Sequence, residues 1–438
     1  MSWLNFFQTT QQQKHAFGRG INANISPDEE KLFIASYEAF ERGEILEGYA
    51  LFFDSLINFR DDISNENITY TIEDAKKMHF VIFQGCARVS GVITEQNLYA
   101  ESIICKKSDA NVALKRYILE RNYQLTYANY FANDEHIMIK LYHDNKTMSP
   151  QKVFFPLREI ALNADYDKEH IVSEFESCVL QDTAHTTPLS EDELRLKYEY
   201  LLEQIELTEQ KVLTLPSNDN ASMQSFLYLK LLFSIDYLLV PKYKIYQRLS
   251  KTILEYFSAE SMPIEAKNEE LKRYTQKLKN LSFEEFSANF YDAKYTFNQT
   301  EKSSFGDVEN FISESITKIR WYKNNRYTQI IPTIYKYMAF YILYNFGLNP
   351  AAKELLHTLV EVQNSAFFTS LGYTPLYDEA NNSFSKRAII NKLDEIVESY
   401  QPNYPSLVSF ASELNFNSLN EFSHSFYLQF QTLNFEEI

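Results

Sequence analysis

Glycine is scarce. The 438-residue chain holds nine, where an average protein of this length would carry about thirty. None lies between Gly91 and Gly306. Glycine supplies positive φ and close backbone approach, so its scarcity points to long helices joined by plain loops and away from phosphate-cradling folds. Gly18-Arg19-Gly20 is the one closely spaced glycine pair, it follows no strand, and no Gly-Lys-Ser/Thr sequence occurs. That excludes a nucleotide site of the familiar kind.

Cysteine and positive charge are short as well. Cys86, Cys105 and Cys178 are odd in number and show no C-x-x-C spacing, which fits a reducing compartment and offers neither a disulfide framework nor a zinc site. A net charge of −17 is repelled by phosphate backbones, so neither nucleic acid nor an anionic membrane is expected as a general partner. Long apolar runs are missing too. Phe226–Val240 is broken by Lys230 and Asp236, and Gln329–Phe346 carries Pro332 and Lys336. A span needs about 20 predominantly apolar residues, so both read as buried helices. The apolar cluster Met1–Phe7 is too short for a signal-peptide core, and the expected location is cytoplasmic.

What the chain does have is aromatic mass, 34 Phe and 31 Tyr, which we assign to core packing. It also has one region of repeated strand alternation, Ile68 to Tyr142. Ile137, Ile139 and Leu141 alternate with His136, Met138 and Lys140, and Tyr123, Leu125 and Tyr127 alternate with Gln124, Thr126 and Ala128. That period asks for a sheet with one face more deeply buried. Residues 1–26 read as a polar arm. Ser26-Pro27-Asp28-Glu29 opens a helix with a capping hydroxyl, an N1 proline and acids that complement the dipole. A second helical stripe follows through Tyr49 and Phe52. Strands are expected at 68–72, 78–83 and 98–105, with a bulge or bend between Gly85 and Gly91. A helix capped by Asp109 comes next, then strands at 123–131 and 136–142, then helix from Pro150 with a break at Pro156.

This order of helix, three strands, helix, two strands, helix, in an acidic segment, resembles the fold of the class I type III secretion chaperones and their chaperone-like relatives over roughly residues 28–180. The resemblance implies a non-enzymatic module that pairs with another subunit and holds an extended partner segment.

The loop Asp182–Ser190 lacks periodicity and contains proline, and it is the best domain boundary. Beyond it, helices are expected from 191 onward, among them 221–239, 243–258, 264–280, 283–292, 307–322, 328–346, 351–368, 385–400 and 418–431. The fold class is therefore an α+β N-terminal domain, a five-stranded antiparallel sheet with flanking helices, followed by an all-α domain. The divisions are an arm at 1–26, the α+β domain at 27–182, a linker at 183–190 and the helical domain at 191–438.

Chemistry-bearing patterns are few. Glu354–His357 and Glu421–His424 are Glu-x-x-His pairs of the kind that di-iron bundles use, with Glu314 and Glu398 as nominees for the two further ligands. At 100° per residue, however, Glu354, His357 and Glu361 point away from Leu355, Leu356, Leu359 and Val360, and Glu421 and His424 point away from Phe422, Phe426 and Phe430. Asp167, His170 and Glu174 stand in the same relation to Ile171, Val172 and Phe175. All are read as solvent-facing stripes, so no metal, cofactor or catalytic residue is assigned. Cys86 and Cys105 fall on expected strands, and His143-Asp144 and His185 sit in loops without a nucleophile motif beside them.

One charge reversal remains. In Lys318-Ile-Arg320-Trp321-Tyr322-Lys323-Asn-Asn-Arg326-Tyr327 four bases interleave with aromatics and no acid intervenes. Arg and Trp are enriched where binding energy concentrates, so Lys318, Arg320, Trp321, Tyr322, Lys323 and Arg326 are the partner-binding candidates. The run Lys272-Arg273 to Lys277-Lys279 spaces its charges as a solvated helix face. The expected function is a protein-interaction or chaperone-like module binding a partner polypeptide. The alternatives are an enzyme, hydrolytic or metal-dependent, with its site in the helical domain, and a structural subunit that forms a homo-oligomer or larger assembly.

Overall fold

The computed structural model describes residues 15–18, 27–57, 66–216 and 220–436; the Ser26 cap and most of the arm lie outside them. Helices α1 (Pro27–Glu41) and α2 (Ile45–Asp54) pack as a hairpin against a sheet. The sheet has six strands rather than five: β1 (Ile68–Glu73), β2 (Lys77–Gln84), β3 (Ala87–Thr94), β4 (Asn97–Lys106), β5 (Ala128–Ala132) and β6 (His136–Asp144). Its order is β1-β2-β3-β4-β6-β5, antiparallel throughout.

The extra strand is β3, where a bulge or bend was expected. Ala87, Val89 and Ile93 turn inward in strict alternation, and Gly91 lies opposite Phe80, whose ring would come within 2.3 Å of a Cβ at that position. The glycine thus makes room for an aromatic cross-strand neighbour and leaves the ladder unbroken. The strand expected from 123 begins only at Ala128, because α3 (Val112–Asn122) runs on to Asn122. The Glu159 carboxylate then accepts the N–H groups of Thr126, Tyr127 and Ala128.

Helix α4 (Pro150–Glu174) is capped by the Ser149 hydroxyl and runs unbroken through Pro156, which costs one N–H in the second turn. It crosses the inner face of the sheet, and its other side meets the second half of the chain. That half is built from α5 (Glu191–Leu213), α6 (Ala221–Ser234), α7 (Tyr243–Ser258), α8 (Ile264–Lys279), α9 (Phe283–Ser287), α10 (Phe305–Asn324), α11 (Ile331–Asn345), α12 (Pro350–Gln363), α13 (Ser365–Ser370), α14 (Lys386–Tyr400) and α15 (Leu419–Phe430). A two-residue ribbon, β7 (Tyr377–Asp378) with β8 (Ser383–Phe384), interrupts it.

The expected helix at 283–292 is a short turn held by a Ser282/Glu285 capping box, and Asn364 divides the one expected at 351–368. The 221–239 helix ends in a π turn, Ile235–Leu239, followed by Val240 in the left-handed region. No helix of the described residues is long and apolar enough to cross a membrane.

Two hydrophobic cores form, one between the sheet and its helices and one within the helical half. The halves are tied by more than the 183–190 loop. The segment 294–297 returns from the helical half to the sheet, where Gly85 N–H donates to the Lys294 carbonyl and the Gln84 amide bonds Thr296 and Phe297. Phe297 is buried in the core of the first half. On the helical side, Phe17 of the arm packs among His357, Phe368 and Tyr373.

Candidate functional site

Helix α10 ends in the basic–aromatic stretch. Lys318, Arg320, Lys323 and Arg326 are exposed, Trp321 is 54% exposed and stacks on Tyr327, and Tyr322 is buried. Tyr322 is therefore the anchor of this surface and not part of its outer face. No carboxylate lies within 4.0 Å of any of the four cations among the described residues, in a chain of net charge −17. Arg326 follows the helix with φ +64°, which turns the chain back under Trp321.

The Glu-x-x-His pairs do not come together. The His357 ring meets the Tyr237 hydroxyl at 2.8 Å and Glu361 at 3.1 Å, while Glu354 accepts from Tyr400 at 2.5 Å. His424 meets the Tyr335 hydroxyl at 3.0 Å, and Glu421 is exposed. The reading of these stripes as solvent-facing holds for Glu354 and Glu421 and fails for Glu361, which is buried and bound by Lys392. Helix α12 is covered on both sides, with α11 and α15 on one and α14 on the other.

The same correction is larger on α4. Asp165, Asp167, Lys168 and Glu169, four charged residues within five, are all buried. The cause is that α4 is covered on several sides: the sheet and α7 pack against it, and α3 and β5 supply the partners of Asp167. Asp167 accepts from Arg121 at 3.0 and 3.1 Å, from Tyr117 at 2.5 Å and from Tyr130. Glu169 accepts from the Tyr291 hydroxyl at 2.6 Å and the Tyr243 N–H at 3.2 Å. Lys168 donates to the Cys86 carbonyl at 2.8 Å.

Cys86 sits in the β2–β3 hairpin turn and not on a strand. Its N–H donates to Asp165 Oδ1 at 2.8 Å. Gly85 permits this approach: it has φ +55°, and a Cβ there would come within 2.1 Å of the Asp165 carboxylate. Burial, and then the Glu169 charge, push the Asp165 carboxyl up to about 7 against the opposing pull of Lys242. Burial likewise raises the Cys86 thiol, and it lowers the Lys168 ammonium and the His185 imidazole. His185 bonds the Gly85 carbonyl at 3.0 Å and stacks on Phe83.

Cys86, Asp165 and Glu169 offer donor atoms within 4.8 Å of one another, a set that could hold a metal ion. Two ammoniums, Lys168 and Lys242, lie close enough to oppose part of the rise at Asp165, so the carboxyl groups already have positive charge beside them. Lys242 arrives on strained backbone, between Val240 at φ +53° and Tyr243 at φ +46°. Strain of this kind persists only where the surroundings enforce it. Sequence reasoning missed this cluster. Its one visible signal is the run Asp165–His170 inside a helix whose flanks are apolar on more than one side.

Beside it, open to solvent, lies a cleft of about 1070 Å³ between the end of α4, the 178–180 segment, α7, α8 and α9. Its lining includes Arg273 and Lys277 from the second basic run. Within that run, Lys279 instead pairs with Glu206 and Glu209 of α5, and Lys272 pairs with Glu269.

Among the described residues, the sheet's two edges differ. On β5 the Ala128 and Tyr130 N–H groups are taken by Glu159 and Asn122. On β1 the Phe83–Asn67 bond sets the register, so Ile68, Tyr70 and Ile72 point their backbone groups outward, and their N–H groups find no acceptor among the described residues.

A scan against protein-family models gives no match to the chain, and neither does a search of curated proteins.

Proposed function

We propose that the chain is a non-enzymatic interaction module that holds a partner polypeptide, with the end of α10 as a contact surface. The observation that carries this reading is the exposed Trp321 among four cations that no carboxylate of the described residues approaches within 4.0 Å. Trp and Arg concentrate binding energy, and an exposed indole ringed by positive charge suits a segment bearing carboxylates and aromatic side chains. The open β1 edge is a second place where an extended segment can add.

The test uses the chain's own fluorophores, Trp3 and Trp321. With Trp3→Phe, Trp321 reports alone. A synthetic Glu/Phe peptide is expected to shift its emission saturably, and Arg320→Glu/Lys323→Glu to abolish the shift. Equal responses to Glu/Phe and Lys/Phe peptides, or none to either, would sink the reading.

A metal-dependent enzyme is the second reading, favoured by the convergence of Cys86, Asp165 and Glu169. Elemental analysis decides it: stoichiometric zinc, iron or manganese that is lost on Asp165→Asn supports the enzyme. Its absence from protein purified without chelator supports a cluster held by its hydrogen bonds and by the proton on Asp165.

A further inference from the structure

The cleft beside α4 has a charge pattern opposite to that of the molecule. Helices α7 and α8 form an antiparallel pair, and the Tyr274 hydroxyl bonded to the Ile245 carbonyl at 2.9 Å fixes how they lie side by side. On α7, Lys244, Arg248 and Lys251 line the cleft at i, i+4 and i+7, a stripe about 10 Å long at 1.5 Å per residue. On α8, Arg273 and Lys277 line the facing wall one turn apart. Carboxylates mark the ends: Glu255 and Glu270 toward the α7–α8 turn, and Glu285 on α9. The rest of the lining is largely apolar, with Ile245, Leu278 and Leu281 from one half of the chain and Val172 and Leu180 from the other.

Three of the five cations have acidic neighbours: Arg248 with Glu174 at 3.0 Å, Lys251 with Glu255 at 3.9 Å and Arg273 with Glu270 at 2.8 Å. Lys244 and Lys277 have no carboxylate within 4.0 Å among the described residues.

We infer that this cleft binds a polypeptide segment whose carboxylates, spaced along one side, meet the Lys244–Lys251 and Arg273–Lys277 stripes while its apolar side chains fill the floor. The inference deepens the interaction reading above and rests on it. Two features select a segment over a compact anion. The cations are spread along two walls and do not converge on one point, and the volume of about 1070 Å³ stands at the upper end of small-ligand sites, roughly 300–1,000 Å³. Helical i, i+4, i+7 spacing on the wall is matched by carboxylates at the same spacing on an amphipathic partner helix.

The experiment uses the full chain and fluorescein-labelled synthetic 16-residue peptides, read by anisotropy. A Glu/Leu peptide with helical spacing is expected to bind saturably, and a Lys/Leu peptide of the same apolar pattern at least about tenfold more weakly, a difference worth about 1.4 kcal/mol. Lys244→Glu/Lys277→Glu is expected to weaken the Glu/Leu peptide at least tenfold, and Lys244→Gln/Lys277→Gln by less. Both pairs lie on exposed side chains, so thermal melting should show the fold intact.

Trp321→Ala separates the two readings. Binding lost with Trp321→Ala and kept with the Lys244/Lys277 pair leaves the interaction reading standing and overturns the cleft. Several other results also overturn it: no saturable binding, equal binding of the Lys/Leu peptide, occupancy by anionic phospholipid vesicles in place of peptide, or a dimer that the Lys244/Lys277 pair dissolves.

Discussion

Asp165–Glu169 on α4 and Lys318–Arg326 at the end of α10 are both charge-dense helical stretches, one mainly acidic and the other wholly basic. The first is buried among the sheet, α3 and α7, with each carboxyl group held by named donors. The second faces solvent with its cations unopposed. Helical periodicity is the same in both and cannot separate them. What separates them is whether a second layer covers the polar face, and that is a property of tertiary packing. A charge in the first setting is costly to disturb, because removing one partner strands the other in a low dielectric, whereas a charge in the second is nearly free to change.

The largest expected effect comes from Asp167, which is fully buried and receives Arg121 and two tyrosine hydroxyls. Asp167→Ala takes the acceptor from both tyrosine hydroxyls and from Arg121 Nε, leaves the Arg121 charge without its carboxylate, and should lower the unfolding free energy by about 3–5 kcal/mol, measured by urea denaturation. A loss below about 1 kcal/mol would mean that α3 and β5 do not seal Asp167 against α4, and the contrast with α10 would disappear.

Asp165→Asn tests the same layer through pH. With its folded-state value near 7, above the ordinary carboxylate range, the native state keeps a proton that the unfolded chain has released. Stability contributed by this group is therefore complete below about pH 4, declines as pH rises to about 7, and stays lower beyond. The Asn variant keeps the acceptor for the Cys86 N–H and should flatten that decline, an effect on the order of a few kcal/mol. An unchanged slope would place the charge of Asp165 in a more hydrated setting.

How much of this was readable beforehand follows from the same distinction. The order of elements and the succession of a sheet by helices follow from local patterns and appear in the sequence. The strand at Ala87–Thr94 was hidden by Gly91, whose role is to accommodate Phe80 from the neighbouring strand. Pro156 looked like a stop because the sequence does not show how much of α4 the packing around it holds in place. Glu361 and Asp167 were assigned to wet faces because amphipathic analysis assumes one covered side. The cleft was invisible for a related reason: Lys244 and Lys277 are 33 positions apart and share a surface only once α7 and α8 pair.

Lys336 extends the comparison to cations. It lies on α11, and burial brings its ammonium down to about 8, with Lys211 adding repulsion and Glu379 only partly opposing. A lowered folded-state value for a base means stability is reduced below about pH 8 and recovers as pH approaches 10.5. Lys336→Met should accordingly raise stability at pH 7 by roughly 1–3 kcal/mol and remove that rise. A destabilised variant would show that the ammonium has a partner worth keeping.

The smallest effects belong to the α10 surface, and their smallness is the informative part. Arg320→Ala and Lys323→Ala remove exposed cations that no carboxylate approaches, so each should change the unfolding free energy by no more than about 0.5 kcal/mol. Trp321→Ala should cost somewhat more, because the indole stacks on Tyr327 and stands edge-on to the buried Tyr322. If the cations were there to stabilise the helix C-terminus, their loss would be felt in stability and raised salt would reproduce it. If they are there for a partner, stability stays level while the Glu/Phe peptide response of Trp321 falls. Measuring both quantities on the same two variants distinguishes a helix-capping charge from a recognition charge.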